Sequence, residues 1–472
     1  MIWQCIYDII FRISLKLVLE ENVRILRRVL AVWACKLLIL LSKLSGHNGS
    51  SMPGQIALKI YPNLLSELAS SVRKEIIVVC GTDGKTTTNN MLCDFLLSEG
   101  YSVVSNRIGA NMLYGVCCAF ANHANCFGKL DADYAAIEID EASAVKVFDH
   151  FAPDKIIIIN LFRDQLDRYG EIDITIDYLK RAIEKCPEAQ LILNADDPLS
   201  AQFGYNSTHK CYYVGVDEDT GNSLNEIRDG QFCTICGGEL SYEYYHYSQL
   251  GKYKCTKCDF KRPQLDLKVN RIFTVDGIIF DMTEGEVVTP VQVTYRGFYN
   301  IYNIALSYYA AKLSMGKAPD VQKVLSAYKP QIGRMEEFII NNKKVILNLS
   351  KNPAGFNQAI STVVSDWKNK DVMIIINDNA QDGKDISWIW DVDFERLNVS
   401  QIKSFTLAGI RVDDLCVRAK YAHLPMENTQ KEYSLQSGVK RAVSGNGEVC
   451  YILSNYTATF KTQDILKKLE RS

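Results

Sequence analysis

The chain has 472 residues, with 53 lysines and arginines against 55 aspartates and glutamates, so its formal net charge at pH 7 is −2. This balance predicts no general attraction to nucleic acid, and a chain of this length is typical of about two to four domains. The fifteen cysteines are scattered and odd in number, which argues against a secreted disulfide framework. We therefore expect a cytoplasmic protein in which a subset of the cysteines binds metal.

The first 44 residues are rich in apolar side chains but are interrupted by charged ones. They contain no run of about 18 uncharged apolar residues, as a membrane-spanning helix requires, and no small-residue cleavage site of a secretory signal. We predict an amphipathic segment of two helices over residues 1–44, followed by a turn-rich linker. Two interpretations fit: the helices pack on the body of the protein, or they contact the inner face of the membrane as basic amphipathic helices.

The most informative stretch is EIIVVCGTDGKTTTNNM, at residues 75–91. It predicts a β-strand, a glycine-containing loop and a helix, which together point backbone N–H groups and a helix N-terminus at a polyphosphate. Lys85 is expected to reach the β- and γ-phosphates of ATP, and the Thr86 hydroxyl to complete the shell of a Mg²⁺ ion. We therefore assign nucleotide binding to seven consecutive residues, Gly81, Thr82, Asp83, Gly84, Lys85, Thr86 and Thr87.

Strands of the buried type alternate with helical patterns beyond this loop, which predicts a mostly parallel sheet covered by helices. These strands are expected at residues 134–140, 155–160 and 191–194. The first of them ends in Glu138, Asp140 and Glu141. A carboxylate at this place can hold Mg²⁺ opposite the Thr86 hydroxyl, and we assign Glu138 to that catalytic and metal-binding role.

Residues 210–295 break the alternation and are interpreted as an insertion. Two CxxC pairs lie in it, Cys233 with Cys236 and Cys255 with Cys258. Each pair supplies two thiolates, and four thiolates close a tetrahedral site for Zn²⁺ that leaves no open position for water. We predict a structural zinc ribbon at about residues 225–265.

A helical pattern returns after the insertion, and Asn300 and Asn303 at its start are assigned to nucleotide binding. Arg334 follows near the next boundary, where a guanidinium can stabilise charge on a transferred phosphoryl group. A second unit of alternating strands and helices begins close to residue 335, and open parallel sheets bind ligands beyond the carboxyl ends of their strands. We predict a central ATP-binding domain over residues 45–318 and a C-terminal domain over residues 319–472.

These motifs, in this order, resemble those of the Mur ligase family over roughly residues 54–360. They are GTDGKTT, the strand-end glutamate, Asn194-Ala-Asp-Asp-Pro198, Asn300-x-x-Asn303 and Gly333-Arg-x-Glu336. The resemblance implies an α/β fold with a central P-loop ATPase domain of the Mur ligase type, which here carries the zinc ribbon, and a smaller Rossmann-like C-terminal α/β domain. It also implies that ATP and Mg²⁺ activate a carboxylate as an acyl phosphate, which an amine then attacks.

The chain departs from ordinary Mur ligases in the third domain, where Asn348-Leu-Ser-Lys351-Asn-Pro replaces their D-[DYA]-x-H-[NT]-P segment. This departure, the ribbon and the segment at residues 385–395 resemble the MurT family. That resemblance implies ATP-dependent amidation of the D-Glu α-carboxylate of the lipid II stem peptide to D-isoglutamine, in peptidoglycan synthesis. Ammonia would come from a partner, a GatD-type class I glutamine amidotransferase, since no cysteine of this chain lies in a Gly-x-Cys-x-Gly elbow.

The resemblance also implies that an aspartate of the C-terminal domain completes the Cys-His pair of the glutaminase. Asp385 is our assignment for this residue, with Asp391 and Asp382 as weaker choices, and capping of a helix by Asp385 is the open alternative. Two other functions also stay open. One is a peptide-forming Mur or folylpolyglutamate-type ligase, against which Asn348, Lys351 and the ribbon argue. The other is a nucleotide-binding scaffold that docks a partner without catalysis.

Overall fold

The computed structural model describes residues 2–44, 51–107, 110–163, 172–221, 230–274, 277–328, 333 and 335–471, and for residues 2–20 it describes the backbone alone. The helices in these ranges are α1 (Ile2–Leu44), α2 (Met52–Ile60), α3 (Leu64–Ala69), α4 (Lys85–Ser98), α5 (Leu113–His123), α6 (Glu141–Val147), α7 (Ile172–Glu184), α8 (Pro198–Ala201), α9 (Tyr299–Met315), α10 (Val321–Ala327), α11 (Pro353–Ser365), α12 (Val412–Tyr421), α13 (Leu435–Val443) and α14 (Tyr456–Glu470). Short 3-10 helices lie at Gln202–Gly204, Ser387–Asp391, Phe394–Leu397 and Met426–Asn428. The strands are β1 (Val72–Cys80), β2 (Val103–Ser105), β3 (Ala132–Glu138), β4 (Lys155–Ile158), β5 (Gln190–Asn194), β6 (Cys211–Val216), β7 (Leu240–Tyr247), β8 (Leu250–Cys255), β9 (Leu267–Phe273), β10 (Ile278–Glu284), β11 (Val287–Val293), β12 (Glu336–Ile340), β13 (Lys343–Leu349), β14 (Lys370–Ile375), β15 (Ile402–Ala408), β16 (Thr429–Glu432) and β17 (Val449–Ser454).

The larger sheet has nine strands in the order β11-β10-β9-β6-β5-β4-β1-β3-β2. Neighbouring strands from β2 to β9 are parallel, whereas β9, β10 and β11 pair in antiparallel fashion at one edge. The last five residues of β1 are all buried, as is typical of a strand covered by helices on both faces. The mostly parallel sheet predicted from the sequence is therefore confirmed.

The prediction of an insertion over residues 210–295 is too long. Strands β6, β9, β10 and β11 all belong to the nine-stranded sheet, so the insertion is confined to the chain between β6 and β9. Alternating polar and apolar residues in β9–β11 come from their place at the sheet edge, where one face of each strand is less covered. Within the insertion, β7 and β8 form an antiparallel hairpin.

Helices cover both faces of the nine-stranded sheet. The apolar core on one face includes residues of α1, α2, α3, α5, α6 and α7, and the core on the other face includes residues of α4, α9 and α10. Two such layers bury both sides of the parallel strands, which explains their nearly continuous apolar sequence. The P-loop lies at the carboxyl end of β1, beyond the sheet, where α4 begins.

The C-terminal sheet has six strands in the order β12-β13-β17-β14-β15-β16. All of its neighbouring pairs are parallel except β12 with β13. Residues of α11 and α12 contribute to the core on one face, and residues of α13 and α14 to the core on the other. This arrangement confirms the second α/β unit predicted from the sequence.

The prediction of two N-terminal helices is wrong, because residues 2–44 form the single helix α1. Four of its side chains, Ala31, Val32, Cys35 and Ile39, are buried in the core shared with α2 and α5. Packing on the body of the protein is therefore confirmed for this part of α1. In the described ranges, no helix combines the length and the apolar character that crossing a bilayer requires.

Candidate active site between the ATP-binding and C-terminal domains

The P-loop connects the end of β1 to the start of α4. Gly81 and Gly84 have φ angles of 135° and 88°, a backbone conformation that glycine adopts at little cost. A side chain at position 84 would also clash with its neighbour, since a Cβ atom on Gly84 would lie 2.2 Å from Oδ1 of Asn303. The loop is held from the β4 side by Asn160, whose Oδ1 accepts a hydrogen bond from the backbone N of Asp83 at 2.9 Å. The sequence-predicted loop and Asn303 thus meet in space.

The Lys85 side chain is buried and turned toward the protein. Its Nζ atom lies 3.1 Å from Oε1 of Glu141 and donates to the Gly81 carbonyl oxygen, and the same Oε1 accepts from the backbone N of Gly81 at 2.7 Å. Burial by itself would lower the pKa of Lys85, but the carboxylates of Glu141, Asp140 and Glu138 outweigh it and raise that pKa. Burial also raises the pKa of the Glu141 carboxyl. An incoming phosphate therefore competes with Glu141 for the ammonium group.

The three strand-end carboxylates have different partners. Glu138 is 2% exposed, and its Oε1 accepts from Nδ2 of Asn111 at 2.9 Å. Its Oε2 is buried and has no hydrogen-bond partner among the described residues, so one oxygen is available to a hard cation such as Mg²⁺. Asp140 instead caps α6, where its Oδ1 accepts from the backbone N of Ser143 at 3.3 Å. The donor set at Glu138 fits the metal-binding role assigned to it.

Asn300 and Asn303 lie at the start of α9 and face the P-loop helix. Oδ1 of Asn303 accepts from the Thr88 hydroxyl at 3.2 Å, and its Nδ2 donates to Oδ1 of Asn300 at 3.2 Å. Asn300 in turn donates from Nδ2 to the Arg296 carbonyl oxygen at 2.8 Å. The spacing of three residues puts both amides on one face of α9, which explains why they act as a pair.

The C-terminal domain contacts the P-loop directly. Asn352 caps α11, with its Oδ1 accepting from the backbone N of Gly355 at 2.7 Å, while its Nδ2 donates to Oδ2 of Asp83 at 3.1 Å. Sequence reasoning had assigned Asp83 to nucleotide binding alone and gave no indication of this contact. The two domains border a cleft that is open to solvent, and its lining includes Asp83, Gly84, Thr87, Asn303, Asn348, Ser350 and Lys351.

The hairpin of β7 and β8, which belongs to the ribbon, reaches the same cleft. The sequence did not indicate this contact. At the inner end of the hairpin Gln249 is fully buried, and its Nε2 donates to the Leu161 carbonyl oxygen at 2.8 Å and approaches Oδ1 of Asp197 at 3.3 Å. Tyr247 is 3% exposed and lines the cleft beside Asp83. Burial, followed by the Asp83 carboxylate, raises the pKa of the Tyr247 phenol well above its usual value.

The chain that follows β8 is tied to the ATP-binding domain through a buried ionic network. Asp196, which follows β5, lies with its Oδ1 2.7 Å from Nε of Arg262, and its Oδ2 accepts from the Tyr302 hydroxyl at 2.8 Å. Burial alone would lower the pKa of Arg262, but Asp196 and its neighbours raise it. The ribbon is therefore fastened at the carboxyl ends of the sheet strands, close to the P-loop.

The four predicted zinc ligands come together. Sγ of Cys233 lies 3.6 Å from Sγ of Cys258, and Sγ of Cys236 lies 3.5 Å from Sγ of Cys255. All four sulfur atoms lie within 4.8 Å of one another. A tetrahedral Zn²⁺ with bonds of about 2.3 Å places its sulfurs about 3.8 Å apart, so the cluster has the dimensions of such a site. It is the one cluster of cysteine, histidine and carboxylate ligands found among the described residues.

Asp385 is exposed at the surface of the C-terminal domain. Its Oδ1 accepts from the backbone N of Ser387 at 2.8 Å, at the start of the 3-10 helix that follows. The N-cap position of that helix is Ile386, so Asp385 bonds to the helix start from one residue before the cap, and this bond holds its carboxylate in a defined orientation at the surface.

The two weaker choices have other partners. Asp382 is 4% exposed, and its carboxylate accepts from the backbone N of Thr457 at 2.7 Å and from the hydroxyl of the same residue at 2.5 Å. Asp391 faces the ATP-binding domain, with its Oδ2 3.6 Å from Nη1 of Arg163. Of the three aspartates, Asp385 alone is exposed, and the bond from the neighbouring Ser387 occupies one oxygen of its carboxylate.

One assignment falls where the structure gives no description. Arg334 lies outside the described residues. Arg334 thus stays a prediction from the sequence.

Two family models match the chain. The Mur ligase middle domain matches residues 79–311, and the MurT ligase C-terminal domain matches residues 349–459. Among curated proteins, the chain is 34% identical over 403 residues to the lipid II isoglutaminyl synthase (glutamine-hydrolyzing) subunit MurT of Staphylococcus aureus (strain COL), covering 84% of this chain and 89% of that protein. It is 32% identical over 431 residues to the subunit of the same name from Streptococcus pneumoniae (strain ATCC BAA-255 / R6), covering 89% and 92%.

The chain belongs to the MurT family. Its fold is also that of solved Mur ligases and their relatives. A pseudomurein peptide ligase type C from Methanothermus fervidus superposes with a TM-score of 0.65 at 22% identity, covering 85% of this chain and 80% of the other. Folylpolyglutamate synthase of Mycobacterium tuberculosis, solved with ADP and AMPPCP, gives a TM-score of 0.60 at 13% identity, covering 87% and 95%. These two likenesses concern the fold alone.

Proposed function

We propose that this MurT-family chain is the synthetase subunit of a lipid II isoglutaminyl synthase. It would use ATP to activate the D-Glu α-carboxylate of the lipid II stem peptide and would convert it to the amide, D-isoglutamine, during peptidoglycan synthesis. The observation that carries the proposal is the composition of the cleft, where the P-loop faces the altered third-domain segment of Asn348 and Lys351. ATP and the site of amine attack would thus share one cavity.

The altered segment favours ammonia over an amino acid as the attacking amine. A ligase that binds an amino acid needs charged groups for both its carboxylate and its ammonium. Here Asn348 is a neutral amide whose Nδ2 donates to the Ser350 hydroxyl at 2.9 Å. Ammonia is small and requires no such pocket, so the replacement of charge by a bonded amide is consistent with amidation.

The chain's own residues would position the reactants for two displacements. An oxygen of the substrate carboxylate attacks the γ-phosphorus of ATP, and the bond from that phosphorus to ADP breaks. Ammonia then attacks the carbonyl carbon of the acyl phosphate, loses a proton, and inorganic phosphate leaves. Lys85 would hold the β- and γ-phosphates, the P-loop N–H groups would cradle them, and Arg334 would stabilise the transferred phosphoryl group.

Two metals enter the proposal in different roles. Mg²⁺ would be held by the Thr86 hydroxyl and the free oxygen of Glu138, and would neutralise phosphate charge when bound. Zn²⁺ would be held by Cys233, Cys236, Cys255 and Cys258 as a structural ion, since four thiolates leave no coordination position for a reactant.

The ammonia source would be a separate GatD-type glutaminase. Relatives named as subunits of a glutamine-hydrolyzing synthase support an assembly of more than one chain. Asp385, exposed and oriented by its bond to Ser387, would face that partner and complete its catalytic pair. The acceptor is carried on a lipid, so the complex would work at the cytoplasmic face of the membrane.

The test is ATP-dependent amidation of lipid II by the purified full chain. Activity with ammonium alone, and with glutamine only when a GatD-type partner is added, is the expected result. Lack of amidation under both conditions, together with ATP hydrolysis stimulated by an amino acid, would instead identify a peptide-forming ligase. Lack of any ATP turnover would identify a scaffold.

A further inference from the structure

Helix α1 has a second apolar face that does not pack on the protein. Seven side chains on this face are between 51% and 77% exposed: Val23, Leu26, Leu30, Trp33, Leu37, Leu40 and Leu44. They follow one another at alternating spacings of three and four residues, so they form a single stripe along the helix. We refer to these seven residues as the outer stripe.

The outer stripe lies away from the face that packs on the body of the protein. The buried residues Ala31, Val32, Cys35 and Ile39 fall between its members in sequence and contact the core. One helix therefore carries two apolar faces, and its packing on the body accounts for only one of them. Apolar surface of this extent on a folded protein marks a place of interaction.

Charge decides between two partners that could cover the stripe, a second copy of α1 and an anionic membrane surface. Residues 22–44 contain five basic residues and no acidic one. If a second copy of α1 covered the stripe, it would bring further basic residues and no acidic ones from residues 22–44 to the flanks of the stripe, where Arg27, Lys36 and Lys43 already lie. Like charges at these flanking positions oppose pairing. An anionic surface is attracted by the same three residues.

Two exposed aromatic side chains, one in the stripe and one beside it, also favour an anionic membrane surface as the partner. Trp33 is held at the surface by a hydrogen bond from its Nε1 to the Cys126 carbonyl oxygen at 3.0 Å. Phe127, next in sequence to that carbonyl, is 69% exposed. Exposed aromatic rings beside basic residues on an amphipathic helix are typical of contact with the headgroup region of a bilayer.

We infer that the outer stripe of α1 lies on an anionic lipid bilayer, with its apolar side chains at the depth of the headgroups and the exposed residues Arg27 and Lys43 at lipid phosphates. The inference deepens the proposed function and rests on it for its purpose, since it would hold the cleft near a lipid-linked acceptor. The contact itself requires neither ATP nor the partner subunit.

The test is binding of the full chain to vesicles of phosphatidylglycerol and phosphatidylcholine, compared with vesicles of phosphatidylcholine alone. The natural chain should co-sediment with the anionic vesicles, and salt should weaken the binding because the basic residues are screened. The double variant Leu30→Ser, Leu37→Ser should bind at least about tenfold more weakly, since two exposed leucines no longer enter the bilayer. A second variant, Arg27→Gln with Lys43→Gln, should lose the preference for anionic vesicles and keep the apolar stripe.

The matched control is Val287→Ser with Val288→Ser, which removes two similarly exposed apolar side chains from β11, far along the sequence from α1. It should bind vesicles as the natural chain does. Equal binding by the stripe variant and this control would overturn the inference, and so would a failure of the natural chain to bind. A concentration-dependent dimer that the stripe variant abolishes would also overturn it, in favour of a second copy.

Amidation of a soluble, lipid-free stem peptide separates this inference from the proposed function. The stripe variant should amidate the soluble acceptor at the natural rate and lose activity on bilayer-embedded lipid II. If the natural chain failed to amidate either acceptor, the proposed function would fall while the vesicle result would still stand by itself.

Discussion

Replacement of Glu141 by glutamine should both destabilise the nucleotide-free protein and increase its response to ATP. The change removes the negative charge that lies 3.1 Å from the Lys85 ammonium and keeps a side chain of the same shape. Lys85 is 8% exposed, so the ammonium would be left buried with no carboxylate in contact with it, although the charges of Asp140 and Glu138 would still act on it. A triphosphate would supply the missing counter-charge.

The magnitude follows from the geometry. Two unit charges 3.1 Å apart attract each other by about 5 kcal/mol at an effective dielectric constant of about 20. Desolvation offsets part of this attraction in the native pair, but the variant keeps the desolvation of Lys85 and loses its partner, which typically costs about 3–5 kcal/mol. We therefore expect Glu141→Gln to lower the free energy of unfolding by about 3 kcal/mol or more without nucleotide.

The assay is chemical denaturation followed by circular dichroism, with and without ATP and Mg²⁺, together with calorimetric measurement of the ATP dissociation constant. Because the natural protein must break the Lys85–Glu141 pair to bind phosphate, the variant should bind ATP about tenfold more tightly or better, which corresponds to about 1.4 kcal/mol. Glu99→Gln is the control, since it breaks the exposed pair with Lys317 and should change neither quantity measurably.

The reasoning would be refuted by a particular pair of results. If Glu141→Gln unfolded at the same denaturant concentration as the natural chain, the buried pair would not be stabilising. If ATP then stabilised both proteins to the same extent, Lys85 would not leave the Glu141 carboxylate to bind the triphosphate of ATP.

Three further predictions concern the rest of the site. Asp385→Asn should abolish amidation driven by glutamine and leave amidation driven by ammonium unchanged, and an equal effect on both rates would contradict its place at the partner interface. Tyr247→Ala should raise the KM for ATP up to about tenfold with little change in kcat, because a buried ring no longer borders the cleft, and Tyr247→Phe should restore it. An unchanged KM in the alanine variant would show that the ring does not border bound nucleotide. Cys255→Ser should lower the bound zinc measured by atomic absorption and the melting temperature together, since the metal site holds a hairpin that anchors in the ATP-binding domain. A zinc-free variant with the natural melting temperature would show that the ribbon folds without metal.

The local parts of the site could be predicted because they are written in consecutive residues. The strand, loop and helix around Gly81–Lys85 follow from an apolar run that breaks at glycines, and each step depends on neighbours a few positions away. The cysteine pairs are equally local, since the spacing of two residues within each pair is itself the geometry of a metal-binding turn. The helix start at Asn300 and Asn303 needed only the three-residue period of a helix face.

Predictions failed or fell short where the outcome depended on partners distant in the sequence. The extent of the insertion was overestimated because edge strands β9–β11 alternate in polarity as an independent hairpin unit would, and only pairing of β9 with β6 shows that they extend the main sheet. The N-terminus was divided into two helices because charged residues interrupt its apolar pattern, whereas α1 continues through them as one helix.

The sequence by itself determined the P-loop, the four-cysteine cluster and the alternation of strands and helices that makes this an α/β chain of the MurT family. The tertiary structure alone decided which carboxylate pairs with Lys85, that Asn352 bonds to Asp83 across the domains, and that Tyr247 of the ribbon borders the cleft. The physical reason is that burial, counter-charge and hydrogen-bond partners arise from packing between segments far apart in the chain, and no local pattern of residues encodes which of several similar side chains will meet.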